Sequence, residues 1–376
     1  MILRRLLDDR RIPAAIAGLA WILIAPLVAR ETGTPRPFPT GVGVNASPSE
    51  KEEDSGVRES SSSPANQNPL MPGLFTPLGI PSVPFPKTNP PAQERIELGM
   101  RLFFDPRLSS DASTSCATCH NPEQAFADNE VTSRGIAGQK GLRNTPALVN
   151  SAFQPYQFWD GRSSSLEDQA LRPLENPVEM GDSIASIVDR LNQLPEYQEA
   201  FRRVFSSPVT RENLAGALAS FERTIFAGNS PYDEYLAGNL TALDQQAAEG
   251  RKLFMGKAHC SLCHQGYNFS DGVFHNLGIG WVGSRFADEG RSKVTGIVKD
   301  RGAFKTPTLR QISQTAPYMH DGSLPDLEAV VDFYNRGGRQ NPHLDPLIRP
   351  LGLTLSEKEA LVEFLRALSG RVSFYH

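Results

Sequence analysis

Two short stretches decide the reading of this chain: SCATCH, Ser115–His120, and HCSLCH, His259–His264. Together they hold all four cysteines of its 376 residues. In each, two thiols stand three residues apart and a histidine follows the second. Four chemistries use such a pattern. A structural zinc site would draw both CxxC pairs together, but pairs that share a zinc are commonly tens of residues apart rather than a domain apart. A thioredoxin-like dithiol needs a strand–helix–strand setting that the flanking sequence lacks. Disulfides closed within CxxC are geometrically poor staples. Covalent attachment of a c-type haem fits: both thiols add to the porphyrin vinyl groups and the adjacent imidazole ligates the iron. Two intervening residues let one turn of chain present both sulfurs to one porphyrin edge, with the next side chain turning under the metal. Cys116, Cys119 and His120 thus read as one attachment site, and Cys260, Cys263 and His264 as a second.

Outward from each motif the chain repeats itself. ELGMRLFF (Glu97–Phe104) precedes the first and AEGRKLFM (Ala248–Met255) the second. Both read Gly-x-x-Leu-Phe, with Gly99, Leu102 and Phe103 matched by Gly250, Leu253 and Phe254. Leu98 with Leu102, and Leu253 with residues a turn earlier, suit helices that bury one face. Thr210 can cap a helix whose Leu214, Leu218, Phe221 and Ile225 fall at helical spacing. Near the C-terminus, Ser356 and Glu359 read as a capping box before a stripe of Leu361, Phe364, Leu365 and Leu368. Long Gly-, Pro- and Asn-containing loops lie between, and no sustained strand alternation is found. The chain is expected to be all-α and loop-rich, with haem filling the middle of each unit.

The remaining segments set the address. Arg4, Arg5, Arg10 and Arg11 precede an uncharged run, Ile12–Ala29, the pattern of an export signal. Residues 1–30 are read as a signal peptide or an uncleaved membrane anchor, which makes the protein periplasmic. Residues 31–90, rich in Pro, Ser and Gly, read as a flexible linker whose end packs on the folded body. Residues 91–240 and 241–376 then form the two haem-binding domains. A net charge of −4 gives no basic excess for nucleic acid.

From about Pro91 onward the chain resembles the bacterial di-haem cytochrome c peroxidases, including their MauG-like branch. The resemblance rests on GQKGLRNTPALVNSAFQPYQFWDGRSSSLEDQALRPLENPVEM (Gly138–Met180) and FKTPTLRQISQTAPYMHDGSLPDLEAVVDFYNRGG (Phe304–Gly338). It implies two tandem cytochrome c-like domains, the first binding peroxide and the second passing electrons. Trp159 matches the tryptophan between the haems, a position that by itself would more often be a core aromatic. Glu179 matches the distal acid-base residue, Gln169 a pocket amide, and Pro173 the same distal wall. A carboxylate there can move a proton between the two oxygens of peroxide. Asn144, Thr315 and Pro317 match a calcium site, the last two through backbone oxygens.

Two departures select the branch. Many relatives place a histidine before GQKG to cap the first haem; here Ile136 stands at that point, and no histidine lies between His120 and Asn144. An apolar side chain cannot ligate iron, so the first haem is expected to be open to peroxide without prior reduction. At the second haem the usual methionine is replaced by Tyr334, as in MauG-like proteins, with Met319, His320, Met255 and His275 as competitors. A thioether favours ferrous iron and a phenolate favours higher oxidation states. The expected function is peroxide reduction, with electrons from a small cytochrome c, a cupredoxin or an organic reductant. Its variant is MauG-like oxidation of a protein substrate. A non-catalytic di-haem electron carrier and a haem-based redox sensor are the alternatives. A homodimer is among the assemblies considered.

Overall fold

The computed structural model describes residues 66–67 and 74–375. The expected leader, and most of the expected linker, lie outside them. Among the described residues no helix is long and apolar enough to cross a membrane.

Two hydrophobic cores follow one another along the chain. The first half supplies α1 (Gln93–Phe103), α2 (Cys116–Cys119), α3 (Leu166–Glu175), α4 (Ile184–Asn192), α5 (Pro195–Phe205) and α6 (Arg211–Glu222). The second supplies α7 (Pro231–Leu236), α8 (Gln245–Met255), α9 (Ser292–Thr295), α10 (Leu327–Asn335) and α11 (Leu355–Arg366). Strands among the described residues are only two or three residues long, so the fold is helix-rich, as expected.

The Gly-x-x-Leu-Phe repeat explains the main packing. A Cβ on Gly99 would lie 1.9 Å from the Ala217 carbonyl oxygen, and one on Gly250 would lie 1.8 Å from that of Ala360. Each glycine thereby lets its helix press against a late helix, α1 on α6 and α8 on α11. Phe103 meets Phe221 at 5.1 Å between ring centroids, and Phe254 meets Phe364 at the same 5.1 Å. Full burial of such rings contributes about 1.5–3 kcal/mol each.

Caps set the helix starts. Thr210 and Asn213 form a reciprocal capping box on α6, as expected for Thr210. On α11 the box is Thr354 with Glu357, not Ser356 with Glu359. Thr354 is the last extended residue after the loop, whereas Ser356 already lies inside the helix, so its hydroxyl cannot serve as the entry cap.

The first core recruits segments from both ends of the folded body. Leu74, Ile80 and Val83 are buried in it, so the last part of the 31–90 stretch is packed. The strand Arg371–Ser373 returns from the C-terminus to pair antiparallel with Phe226–Gly228. In the second half, Arg310 and Asp233 form an almost fully buried ion pair, and Arg310 also donates to the Tyr267 carbonyl at 2.8 Å.

Candidate haem and peroxide site

Both cysteine motifs open into one cavity of about 750 Å³. In the first, α2 is a single turn entered through Ser115, and its capping box with Thr118 fixes the start of the turn that carries both cysteines. In the second, Cys260–Leu262 is a 3₁₀ turn entered through His259 at φ +54°. The histidines are held in the same way. His120 Nδ1 lies 3.0 Å from the Phe126 carbonyl and His264 Nδ1 lies 2.9 Å from that of Phe269. A carbonyl can only accept, so Nδ1 carries the proton and Nε2 keeps its lone pair for a metal. Burial lowers the pKa of both imidazoles, which keeps them in the ligating neutral form.

All four cysteines are free of disulfides. Burial raises the Cys116 thiol, and pushes Cys119 up to about 11 and Cys260 up to about 12. Thioethers to a porphyrin carry no charge and suit such buried surroundings. Among the described residues, no cluster joins cysteines of the two motifs; the one potential metal-binding cluster is Cys263, Asp271 and His275.

The expected distal residues converge beside the first motif. Gln169 and Pro173 stand on one face of α3, and Glu179 follows in the loop after it; all three line the cavity. Gln169 Oε1 is buried with no hydrogen-bond partner, as expected of a group that faces a bound molecule. Burial raises the Glu179 pKa, against the opposing influence of Arg162 and of a 2.6 Å hydrogen bond from Asn176 Nδ2. Ile136 is absent from the cavity wall; its backbone N–H donates to the Glu179 carbonyl, and its side chain packs where a Cβ on Gly181 would fall.

Trp159 sits where the two halves join. Its Nε1 donates to the Asn144 carbonyl at 2.9 Å, and its own carbonyl accepts from Lys305 N at 2.8 Å. Asn144 N in turn donates to the His320 carbonyl, also at 2.8 Å. Arg143 adds an ion pair on each side, to Asp160 and to Asp288, both at 2.7 Å. Asn144, Thr315 and Pro317 all line the same cavity. The Asn144 amide nitrogen donates to the Glu130 carbonyl at 2.8 Å.

At the second motif, Tyr334 reaches the cavity from α10, and burial raises its phenol beside the Cys260 and Cys263 sulfurs. Two competitors drop out. Met255 is 44% exposed and off the cavity wall. His275 has both ring nitrogens engaged, to Asp345 at 2.6 Å and Asp271 at 3.0 Å, which push it up to about 11 together with Cys263. Met319 and His320 line the cavity too, but His320 is stacked on Phe304 at 3.5 Å between centroids.

Sequence reasoning missed three cavity residues. Lys305 is buried, and loss of solvent lowers its ammonium to about 8. Arg143 bridges the halves. Glu222, at the end of α6, carries an unpaired buried Oε2. Aligning the two halves beyond their cysteine motifs was the signal available for all three.

Paired thiols, oriented imidazoles and a deep apolar cavity define a c-type haem protein, and the residues present fit that group. A profile of the di-haem cytochrome c peroxidase family matches residues 93–241. The chain is 42% identical over 291 residues to the methylamine utilization protein MauG of Methylorubrum extorquens, covering 76% of this chain and 81% of that one. It is 38% identical over 290 residues to cytochrome c551 peroxidase of Pseudomonas aeruginosa, covering 75% and 81%. Among solved structures, a MauG-like protein associated with microbial copper homeostasis superposes with a TM-score of 0.72 at 34% identity, over 80% of this chain and 95% of that one. The chain belongs to the di-haem cytochrome c peroxidase family, an oxidoreductase family whose members carry haem c and act on hydrogen peroxide.

Proposed function

We propose that the chain reduces hydrogen peroxide at the haem of the first motif, held by Cys116, Cys119 and His120. A haem held there would supply an iron able to bind and reduce peroxide. The carrying observation is the distal wall itself. Gln169, Pro173 and Glu179 offer a proton carrier and an amide, and none of them is an iron ligand of the histidine or methionine type. Glu179 accepts a proton from one peroxide oxygen and returns it to the other as the O–O bond breaks, a role suited to a carboxyl whose pKa burial has raised. Two electrons and two further protons complete the conversion to two waters. Gln169 orients the incoming molecule through its unpaired oxygen.

The second motif, with Cys260, Cys263 and His264, is the electron-transfer site, and Trp159 is the relay between the two. A small cytochrome c or a cupredoxin is the donor, in the periplasm. Asn144, Thr315 and Pro317 hold one calcium ion. Tyr334 supports a second reading, MauG-like oxidation of a protein or organic substrate, because a phenolate on the second iron favours its oxidised states.

Stopped-flow mixing of the as-isolated ferric protein with peroxide is the test. Immediate reaction, with a high-spin ferric spectrum beforehand, is expected. A requirement for pre-reduction, or two low-spin haems, would overturn the reading.

A further inference from the structure

The helix pairs that flank the two motifs match closely, and one of the positions at which their inward side chains differ lies beside the first motif. Ala217 and Phe221 flank Gly99 as Ala360 and Phe364 flank Gly250. The next residues are therefore equivalent: Glu222 in the first half, Leu365 in the second. Both line the cavity. The frame around them is retained, since Arg223 pairs with Glu167 on α3 as Arg366 pairs with Glu328 on α10. At this position the inward side chain is a carboxylic acid in the first half and a hydrocarbon in the second.

An ionised carboxyl in a core is strongly disfavoured unless it has a partner. Glu222 is 4% exposed, and its Oε2 has no hydrogen-bond donor. It lies close enough to the Cys116 sulfur for its charge to raise that thiol. Burial lifts its carboxyl to about 8, with Arg223 opposing and Glu167 reinforcing the shift. The neighbouring α1 and C-terminal strand face this end of α6 with phenylalanines, Phe103 and Phe374, which pack on Phe221. The adjacent charge that could hold Glu222 ionised, Arg223, is already taken by Glu167.

We propose that Glu222 binds the proton that accompanies reduction of the first haem. This inference rests on the proposed haem attachment at Cys116 and Cys119. The step balances: ferric haem with a Glu222 carboxylate takes one electron from the donor and one proton from solvent, giving ferrous haem with a neutral Glu222. Reduction adds negative charge to the cavity, and the carboxyl neutralises it beside Cys116, where the adjacent Arg223 is already paired with Glu167. The second half, with Leu365 in that place, has no such group and transfers electrons without this proton.

Spectroelectrochemical titration of the holoprotein against pH tests this. The first haem's midpoint potential should fall as pH rises through neutral and mildly alkaline values, approaching about 59 mV per tenfold drop in proton concentration. In Glu222→Gln the slope in that window should vanish. Glu222→Leu, which copies the second half, should do the same if the glutamine variant fails to fold. A flat wild-type potential, or an undiminished slope in either variant, would overturn the inference and point to Glu179 or a propionate. Absence of haem from the first motif would instead sink the reading on which it rests.

Discussion

The first and second halves place different residues at the same structural position over their haem sites. The isolated bridge Gln157–Ser163 before α3 recurs as Tyr318–Leu324 before α10, and the caps Ser165 and Asp326 begin the two helices. Counting along the matched helices, Gln169 corresponds to Val330 and Pro173 to Tyr334. The first half therefore presents an amide and a proline, and the second an apolar side chain and a phenol. On the proposed function, one scaffold thus offers a proline at one site and a phenol able to ligate at the other. The difference teaches that the halves diverged in chemistry through single side chains on a retained helix, not through a change of fold.

Exchanging that side chain gives the largest expected effect. Pro173→Tyr should give the first half a phenol over its iron, abolish the high-spin ferric signal and stop peroxide reduction. Retention of both would break the comparison. Glu179→Gln should lower peroxide turnover by about 10²–10⁴-fold with both haems still attached. Because burial raises the Glu179 pKa and the carboxylate is the proton acceptor, the wild-type rate should fall as pH drops through a value above the usual carboxylate range. The glutamine variant should lose that limb of the profile.

Tyr334→Phe should alter the absorption and electron paramagnetic resonance of one haem only. An unchanged spectrum would transfer the ligand role to Met319 or His320. The smallest effects concern packing. Gly99→Ala and Gly250→Ala should each lower stability by about 1–3 kcal/mol in denaturant titration, since the added methyl meets a carbonyl in both halves. A cost confined to one variant would show that the two helix pairs are not equivalent.

The proposed attachment sites stand out in the sequence because covalent haem chemistry fixes such a spacing, that of Cys116, Cys119 and His120 and of Cys260, Cys263 and His264. The Gly-x-x-Leu-Phe helices were legible because close approach needs the glycine and burial needs the periodicity. Glu179 and Gln169 could be placed only through the family resemblance; as isolated residues they read as surface polar groups. The α11 cap went to Thr354 because two overlapping boxes lie two residues apart, and only backbone conformation chooses between them. Glu222 was hidden for a related reason. Its neighbours Phe221 and Arg223 read as an ordinary helix end, and which side of that helix faces the cavity is settled by tertiary packing.

The strand Arg371–Ser373 ties the end of the chain to Phe226–Gly228, and Phe374 packs edge-on against Phe126 and Phe221. A fragment ending near residue 240 would therefore lack part of its own hydrophobic wall, including a ring that touches the phenylalanine whose carbonyl orients His120. The first core is complete only when residues 371–374 have folded back onto it. The fold thus makes the stability of the first half depend on a segment that follows the whole of the second in the chain.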